Sequence, residues 1–217
     1  LRRAGTRWMN RLGLDASPDE TVVCAGAQHA ILVALASLAA PGDLVLGEAL
    51  TYPGFLAAAR LLGLRVQGVP LDDEGIIPEA LDTVCQESRP RALYCMPSLQ
   101  NPTCAQIPHD RREAIAVIAA RHDLAIVQDE IHAGLVDDEP TSLARLAPDR
   151  VFTIASLSKT LSPSIRTAFL SAPPDRVPRL IEAIWGSIWM ASPLGSLVAE
   201  RWLSDDTVDR VLSARRK

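Results

Sequence analysis

Lysine is almost absent from this chain: only Lys159 and the final residue, Lys217, are lysine, and the other twenty basic residues are arginine. Guanidinium therefore supplies positive charge nearly everywhere, which marks Lys159 as a candidate for chemistry that guanidinium cannot do. An amine can shed its proton, act as a base and condense with an aldehyde; guanidinium stays protonated and is a poor nucleophile. On the count alone, a compositional bias with one stray surface lysine accounts for the residue better. Long apolar runs are also missing. The longest, Ala30 to Ala40, is broken by Ser37, is too short to span a bilayer, and reads as a buried helix. Leu1 to Arg11 is basic without an apolar core, so there is no signal peptide to read.

No CxxC pair occurs. Cys24, Cys85, Cys95 and Cys104 stand apart, and three of them lie in or beside apolar runs where a reduced thiol packs as a small hydrophobe. A cytoplasmic setting is the expectation, with no membrane contact. The formal net charge of −4 argues against a dedicated nucleic-acid surface in this segment, which needs clustered positive charge. Arg2, Arg3, Arg7 and Arg11 do cluster, and their spacing fits the solvated face of an opening helix. A hydrolase reading lacks support, because the chain has neither a G-x-S-x-G elbow nor a P-loop.

What is present is a soluble globular composition, 48% hydrophobic and 22% charged over 217 residues, enough for one substantial core. Short apolar runs bounded by turn residues predict strands at Thr21 to Cys24, Leu44 to Gly47, Arg65 to Val69, Ala92 to Met96, Leu124 to Gln128, Val151 to Ala155 and Thr167 to Ser171. Most are apolar throughout, as in strands covered on both faces. Between them, helical patterns run over Gln28 to Ala39, Gly54 to Leu62, Pro78 to Gln86 and Pro108 to Arg121, with Pro108 expected in the opening turn of the last. After Ser171 the pattern is helical only: Val177 to Met190, Pro193 to Leu203 and Thr207 to Lys217. This alternation predicts an α/β layer architecture around a mostly parallel seven-stranded sheet.

In such sheets ligands collect at the carboxyl ends of strands. There the sequence places Gly26-Ala27-Gln28, small residues opening a helix whose free amides suit an anion. It also places Thr51-Tyr52-Pro53-Gly54, then Pro97-Ser98-Leu99-Gln100-Asn101-Pro102-Thr103, then Gln128-Asp129-Glu130-Ile131-His132. The last is Ser156-Leu157-Ser158-Lys159, with Arg166 seven residues beyond the lysine. Each alone is weak: a helix opening, a proline-bracketed loop, an acidic strand end. No second ligand pair has metal spacing, so no metal is expected.

Taken in order, these five motifs resemble the large domain of the fold-type I pyridoxal phosphate (PLP) enzymes, the class I/II aminotransferases. Within that group, the stretch from Arg150 to Arg166 and the arginine-rich end resemble the aminotransferase-like effector domain of MocR-type, GntR-family transcription regulators. The resemblance implies that Lys159 carries the cofactor as a Schiff base and moves the substrate Cα proton. It implies that Arg166, Ser156, Ser158 and the backbone of Gly26, Ala27 and Gln28 hold the phosphate, that Asp129 pairs with the pyridine nitrogen, that Asn101 donates to the phenolic oxygen, and that Tyr52 stacks on the ring. His132 stands where many relatives carry tyrosine, and Cys104 where they usually carry glycine. If position 104 needs a positive φ, cysteine is strained there.

The implied substrates are an amino acid and a 2-oxo acid, in a homodimer. Residues 1–203 are expected to be the PLP-binding large domain, and 204–217 the start of a helix leading toward a small C-terminal domain that this fragment lacks. The alternative is a ligand-sensing PLP module with little turnover, reaching DNA through an upstream domain.

Overall fold

The structure, a computed structural model, describes residues 1–136, 140–205 and 207–215. Its strands are β1 (Thr21–Cys24), β2 (Leu44–Glu48), β3 (Arg65–Val69), β4 (Leu71–Asp72), β5 (Gly75–Ile76), β6 (Ala92–Cys95), β7 (Ala125–Asp129), β8 (Val151–Ser156) and β9 (Ala168–Ser171). Seven of them form one sheet in the order β1-β9-β8-β7-β6-β2-β3, and β4 and β5 make a separate two-stranded ladder. Only β9 opposes its neighbours; the pairings from β8 through β3 are all parallel.

Helices are α1 (Arg2–Arg11), α2 (Ala27–Leu38), α3 (Pro53–Leu61), α4 (Pro78–Ser88), α5 (His109–Arg121), α6 (Leu143–Leu146), α7 (Val177–Ile188), α8 (Pro193–Ser204) and α9 (Thr207–Arg215). They cover both faces of the sheet. On one face Ile31 and Leu35 of α2, Phe55 of α3, and Leu180 and Ile184 of α7 pack on Tyr94, Phe152, Ile154 and Leu170. The opposite face is covered in two places. Leu81 and Cys85 of α4, Ile115 of α5 and Leu143 of α6 pack on Leu46, Leu93 and Ile126, while Trp8 and Met9 of α1, Ala199 of α8 and Val208 of α9 pack on Ala155 and Phe169. Alternate residues of one strand thus serve opposite cores, as the pleat requires: Phe152 and Ile154 face one way, Ala155 the other.

Several sequence expectations shift. The strand expected at Leu124 starts at Ala125 and runs on through Asp129, so the acidic residue belongs to the strand. Arg65–Val69 is not covered on both faces: it is the sheet edge, and only Val69 is buried. Pro108 is the residue before α5 rather than in its first turn, with an extended ψ of 165°. Residues 216 and 217, the end of the helix expected to reach Lys217, lie outside the described residues. Arg2, Arg3, Arg7 and Arg11 are all exposed on α1, opposite its buried Trp8 and Met9. Cys24, Cys85 and Cys95 are buried thiols and Cys104 is exposed. Among the described residues no helix is long and apolar enough to cross a membrane.

Candidate cofactor site

Strand direction decides where the polar motifs meet. β1, β2, β6, β7 and β8 all run the same way, so the residues that follow them emerge at one edge of the sheet. β9 runs opposite, so it begins at that edge, immediately after Arg166. The register is explicit: Ala168 pairs with Cys24 on one side and with Ser156 on the other. Gly26, Arg166 and Ser156 therefore lie within two residues of a single row across three strands.

Contacts tighten that row. Arg166, in the left-handed region at φ 51°, directs its Nη2 toward the Ala25 carbonyl oxygen at 3.4 Å. Gly26 has φ 87° and ψ 168°, a region essentially reserved for glycine, and a Cβ there would fall 2.8 Å from Arg166 Nη2. The guanidinium thus lies against the start of α2, whose opening amides receive no side-chain cap. Free helix-opening amides beside a guanidinium form an anion cradle. Ser156, buried, donates to Ser158 Oγ at 3.1 Å and accepts from the Ser158 amide at 3.2 Å, folding the strand end back toward the same place. Gln28 contributes differently from the other two residues of its motif. Its Nε2 donates to the Gly54 carbonyl at 2.7 Å, fixing the start of α3 to α2 and leaving its backbone amide for the cradle. Tyr52 is the residue on which α3 begins, half-buried against the same core face.

The acidic end of β7 is the second focus. Asp129 is 2% exposed; its Oδ2 accepts from the Tyr94 hydroxyl at 2.8 Å and its Oδ1 from the Ile131 amide at 3.3 Å. Burial pushes its carboxyl up to about 7 despite those two donors. His132 turns its Nδ1 to within 3.3 Å of the Leu99 carbonyl, joining β7's exit to the loop that carries Asn101. Burial lowers the proton affinity of this ring, the bond to Leu99 opposes that, and the charge of Lys159 adds to the lowering. Lys159 itself is exposed at the mouth, two residues past the buried Leu157. Asn101 is half-buried in a turn over 101–103.

With this geometry in hand, the chain can be compared with known proteins. The family model described as aminotransferase class I and II matches residues 1–217. The chain belongs to that family. It is 32% identical over 205 residues to the 2-aminoadipate transaminase of Thermus thermophilus, covering 92% of this chain and 52% of that protein. It is 28% identical over 214 residues to the HTH-type transcriptional regulator YdeF of Bacillus subtilis, covering 99% of this chain and 46% of the regulator. Among solved structures, LysN, an alpha-aminoadipate aminotransferase from Thermus thermophilus complexed with N-(5'-phosphopyridoxyl)-L-leucine, superposes with a TM-score of 0.90 at 30% identity, over 100% of this chain and 57% of that one. The chain spans about half the length of the curated relatives it matches.

Glu48 and His29 stand outside the sequence motifs, and Gln100 and Thr103, though within one, carry no role in the resemblance; together they brace the candidate site. Glu48, 1% exposed at the end of β2, accepts from Gln100 Nε2 at 3.1 Å and from the Met96 amide at 3.4 Å, and burial pushes it up to about 7. Gln100 also donates to the Leu50 carbonyl and accepts from the Thr103 amide and hydroxyl, pinning the Asn101 turn to the segment before Tyr52. His29 accepts from the Ala25 amide on Nδ1, so its Nε2 carries the proton and donates to Ser187 Oγ at 2.8 Å. That bond ties the cradle to α7. None of these had a signal beyond a polar residue in an apolar context.

Two expected results arise from backbone conformation. Gly26→Ala should cost about 1–3 kcal/mol, because the φ/ψ pair excludes a Cβ and Arg166 blocks its space; urea unfolding measures it. Cys104 does have a positive φ, 62°. Its side chain is exposed, so Cys104→Gly should raise stability by about 0.5–1 kcal/mol, the left-handed strain relieved less the added freedom of the unfolded chain. A lower denaturation midpoint for that variant would contradict the strain assignment.

Proposed function

We propose that the chain is the cofactor-holding part of a PLP-dependent, aminotransferase-like protein that moves an amino group between an amino acid and a 2-oxo acid. Residues 1–203 serve as the cofactor-holding body, and α9 beyond them packs back on it through Val208 and Leu212. The observation that carries this reading is the convergence at one sheet edge of an anion cradle, a buried carboxylate and a rare lysine. The residues fit the cofactor on structural grounds: the missing Cβ of Gly26 lets the Arg166 guanidinium lie against the start of α2, and the amides that open α2 are uncapped.

Bound there, PLP supplies a cationic conjugated ring that accepts the electron pair released at the substrate Cα. The chain's own residues do the rest. Arg166, Ser156, Ser158 and the backbone amides of Ala27 and Gln28 would bind the phosphate, while the Gly26 amide is taken by the Cys24 carbonyl at 2.9 Å and Gly26 contributes only the room its missing Cβ leaves. Asp129 would hold a proton on the pyridine nitrogen, and that positive charge would in turn favour the ionised form of a carboxylate that burial, against its two hydrogen-bond donors, holds near 7. Asn101 would donate to the phenolic oxygen; His132 would do so through Nε2 only in its protonated form, because in the neutral ring the Nδ1 hydrogen is given to the Leu99 carbonyl and Nε2 is left an acceptor. Tyr52 covers a ring face and excludes water. Lys159 would hold the cofactor through its amine, and that amine would carry the substrate Cα proton. The working protein is a homodimer in the cytoplasm.

The 28% identity with a DNA-binding regulator over nearly the whole chain favours a second reading, in which the same site senses an amine and signals to another domain. One experiment separates the two. The full-length protein, loaded with PLP, is mixed with an amino acid in a single-turnover absorbance measurement and then assayed with a 2-oxo acid. Spectral change with steady turnover supports the enzyme, and spectral change with turnover that stalls supports the sensor. No response to any amino acid contradicts both.

A further inference from the structure

The proposed function leaves unexplained a buried chain of aromatic and acidic groups beneath Asp129. Tyr94 sits in the middle of β6 with no exposure, in a run, Ala92-Leu93-Tyr94-Cys95, that reads as plain core. Its ring stacks on Phe55 with centroids 4.5 Å apart and planes 5° from parallel. Phe55 lies in the first turn of α3, three residues after Tyr52. The stack is close enough that Gly47 must lack a side chain, since a Cβ there would crowd Phe55 at 2.5 Å. Tyr94 is therefore held by its ring, and its hydroxyl donates to Asp129 Oδ2 at 2.8 Å.

We propose that Tyr94 is the positioning residue for Asp129: its buried hydroxyl occupies one carboxylate oxygen, fixes the plane of the carboxyl group, and ties it through Phe55 to the helix that begins at Tyr52. This rests on the reading of Asp129 as the partner of the ring nitrogen. A carboxylate whose Oδ2 is held at 2.8 Å by Tyr94 has its plane fixed, and Oδ1, held more loosely by the Ile131 amide at 3.3 Å, is the oxygen more free to meet a ligand. The element that covers the ring face and the group that meets the ring nitrogen then move as one unit.

The hydroxyl also acts on charge. The titratable groups facing Asp129 are Glu48 from β2, Tyr94 and Cys95 from β6, and Glu130 next in the chain; its register partner on β8, Ile154, carries none. Glu48, Glu130 and burial all resist ionisation of Asp129, whereas the Tyr94 hydrogen bond favours it. Tyrosine, unlike phenylalanine, can supply that donor while keeping the stack.

The test is Tyr94→Phe, alone and combined with Asp129→Asn. In the ligand-free chain, the Asp129 carboxyl is followed by carbon NMR, its resonance assigned by its loss in Asp129→Asn. Its titration midpoint should rise by about one unit in Tyr94→Phe, the scale of one hydrogen bond to a charged group. PLP affinity, read by absorbance titration, should weaken about tenfold in Tyr94→Phe. It should weaken no further when Tyr94→Phe is added to Asp129→Asn, because the hydroxyl then has no carboxylate to act through. Equal losses in both backgrounds would reduce Tyr94 to a packing residue and overturn the proposal. An unchanged midpoint and affinity, with Asp129→Asn still impaired, would overturn it while leaving the role of Asp129 standing. Wild-type affinity in Asp129→Asn would overturn both.

Discussion

Replacing Lys159 with alanine is expected to lower amino-group transfer by the full-length protein by at least about 10²–10⁴-fold, the range assigned to a single positioned acid–base group. Loss of covalent attachment deepens the defect. The expected loss comes with little change in stability, because Lys159 is exposed and lies beyond the core strands. Lys159→Arg should be as inactive as Lys159→Ala: guanidinium keeps the charge but neither condenses with an aldehyde nor gives up its proton near neutral pH. This contrast answers the question raised by composition, since a protein that uses arginine at twenty positions gains nothing from arginine at this one. Steady-state rates with an amino acid and a 2-oxo acid, compared across the three proteins, give the result. Substantial activity in Lys159→Arg would show that the residue contributes only charge.

The second large effect is on stability. Arg112, 1% exposed in α5, donates from Nε to the Ile107 carbonyl at 2.9 Å, from Nη2 to the Pro97 carbonyl at 3.0 Å and from Nη1 to the Pro140 carbonyl at 3.2 Å. It is also the buried positive charge that pulls Glu130 down, against a larger upward push from burial. Arg112→Met should destabilise the chain by about 3–5 kcal/mol, the cost of stripping one partner from a buried charge pair and orphaning its acceptors.

The sign of the pH dependence follows from Glu130. A carboxyl whose proton affinity is higher folded than unfolded lends stability at low pH and loses it as pH rises through the folded value. Without Arg112 that value rises further, so the penalty should be larger at neutral pH than at an acid pH below the ordinary carboxylate range. Arg112→Met/Glu130→Gln should recover part of it at neutral pH. Urea unfolding at the two pH values measures this, and a pH-independent penalty would rule out the charge pairing. Because two of the acceptors, the Pro97 and Pro140 carbonyls, lie on the loop before Asn101 and on the segment at 140, the same variant should loosen the site.

How much of this could be read from residues alone divides along a physical line. Gly26, Tyr52, Asn101, Asp129, Ser156, Lys159 and Arg166 stand where polar or small residues interrupt the pattern at strand ends, and an interruption is visible. The order of those interruptions, set on alternating strands and helices, also gave the parallel sheet. What supports the site was hidden by the same logic. Tyr94 lies within an unbroken apolar strand, where an aromatic residue reads as packing. Arg112 lies in Asp110-Arg111-Arg112-Glu113, which reads as a solvated helix start; in fact Arg111 pairs with Asp72 at the surface while its neighbour is fully buried. Glu48 was hidden because its burial depends on Gln100, about fifty residues away in the chain. The β3 edge was hidden because strand order, unlike strand position, is a long-range property.

The scarcity of lysine makes the central claim unusually direct to test. After PLP is added to the protein and the complex is reduced with borohydride, peptide mapping locates the fixed pyridoxyl group. The account predicts modification at Lys159, abolished in Lys159→Ala. Modification elsewhere, at the chain's amino terminus or at Lys217, or labelling that persists in the alanine variant, would contradict it.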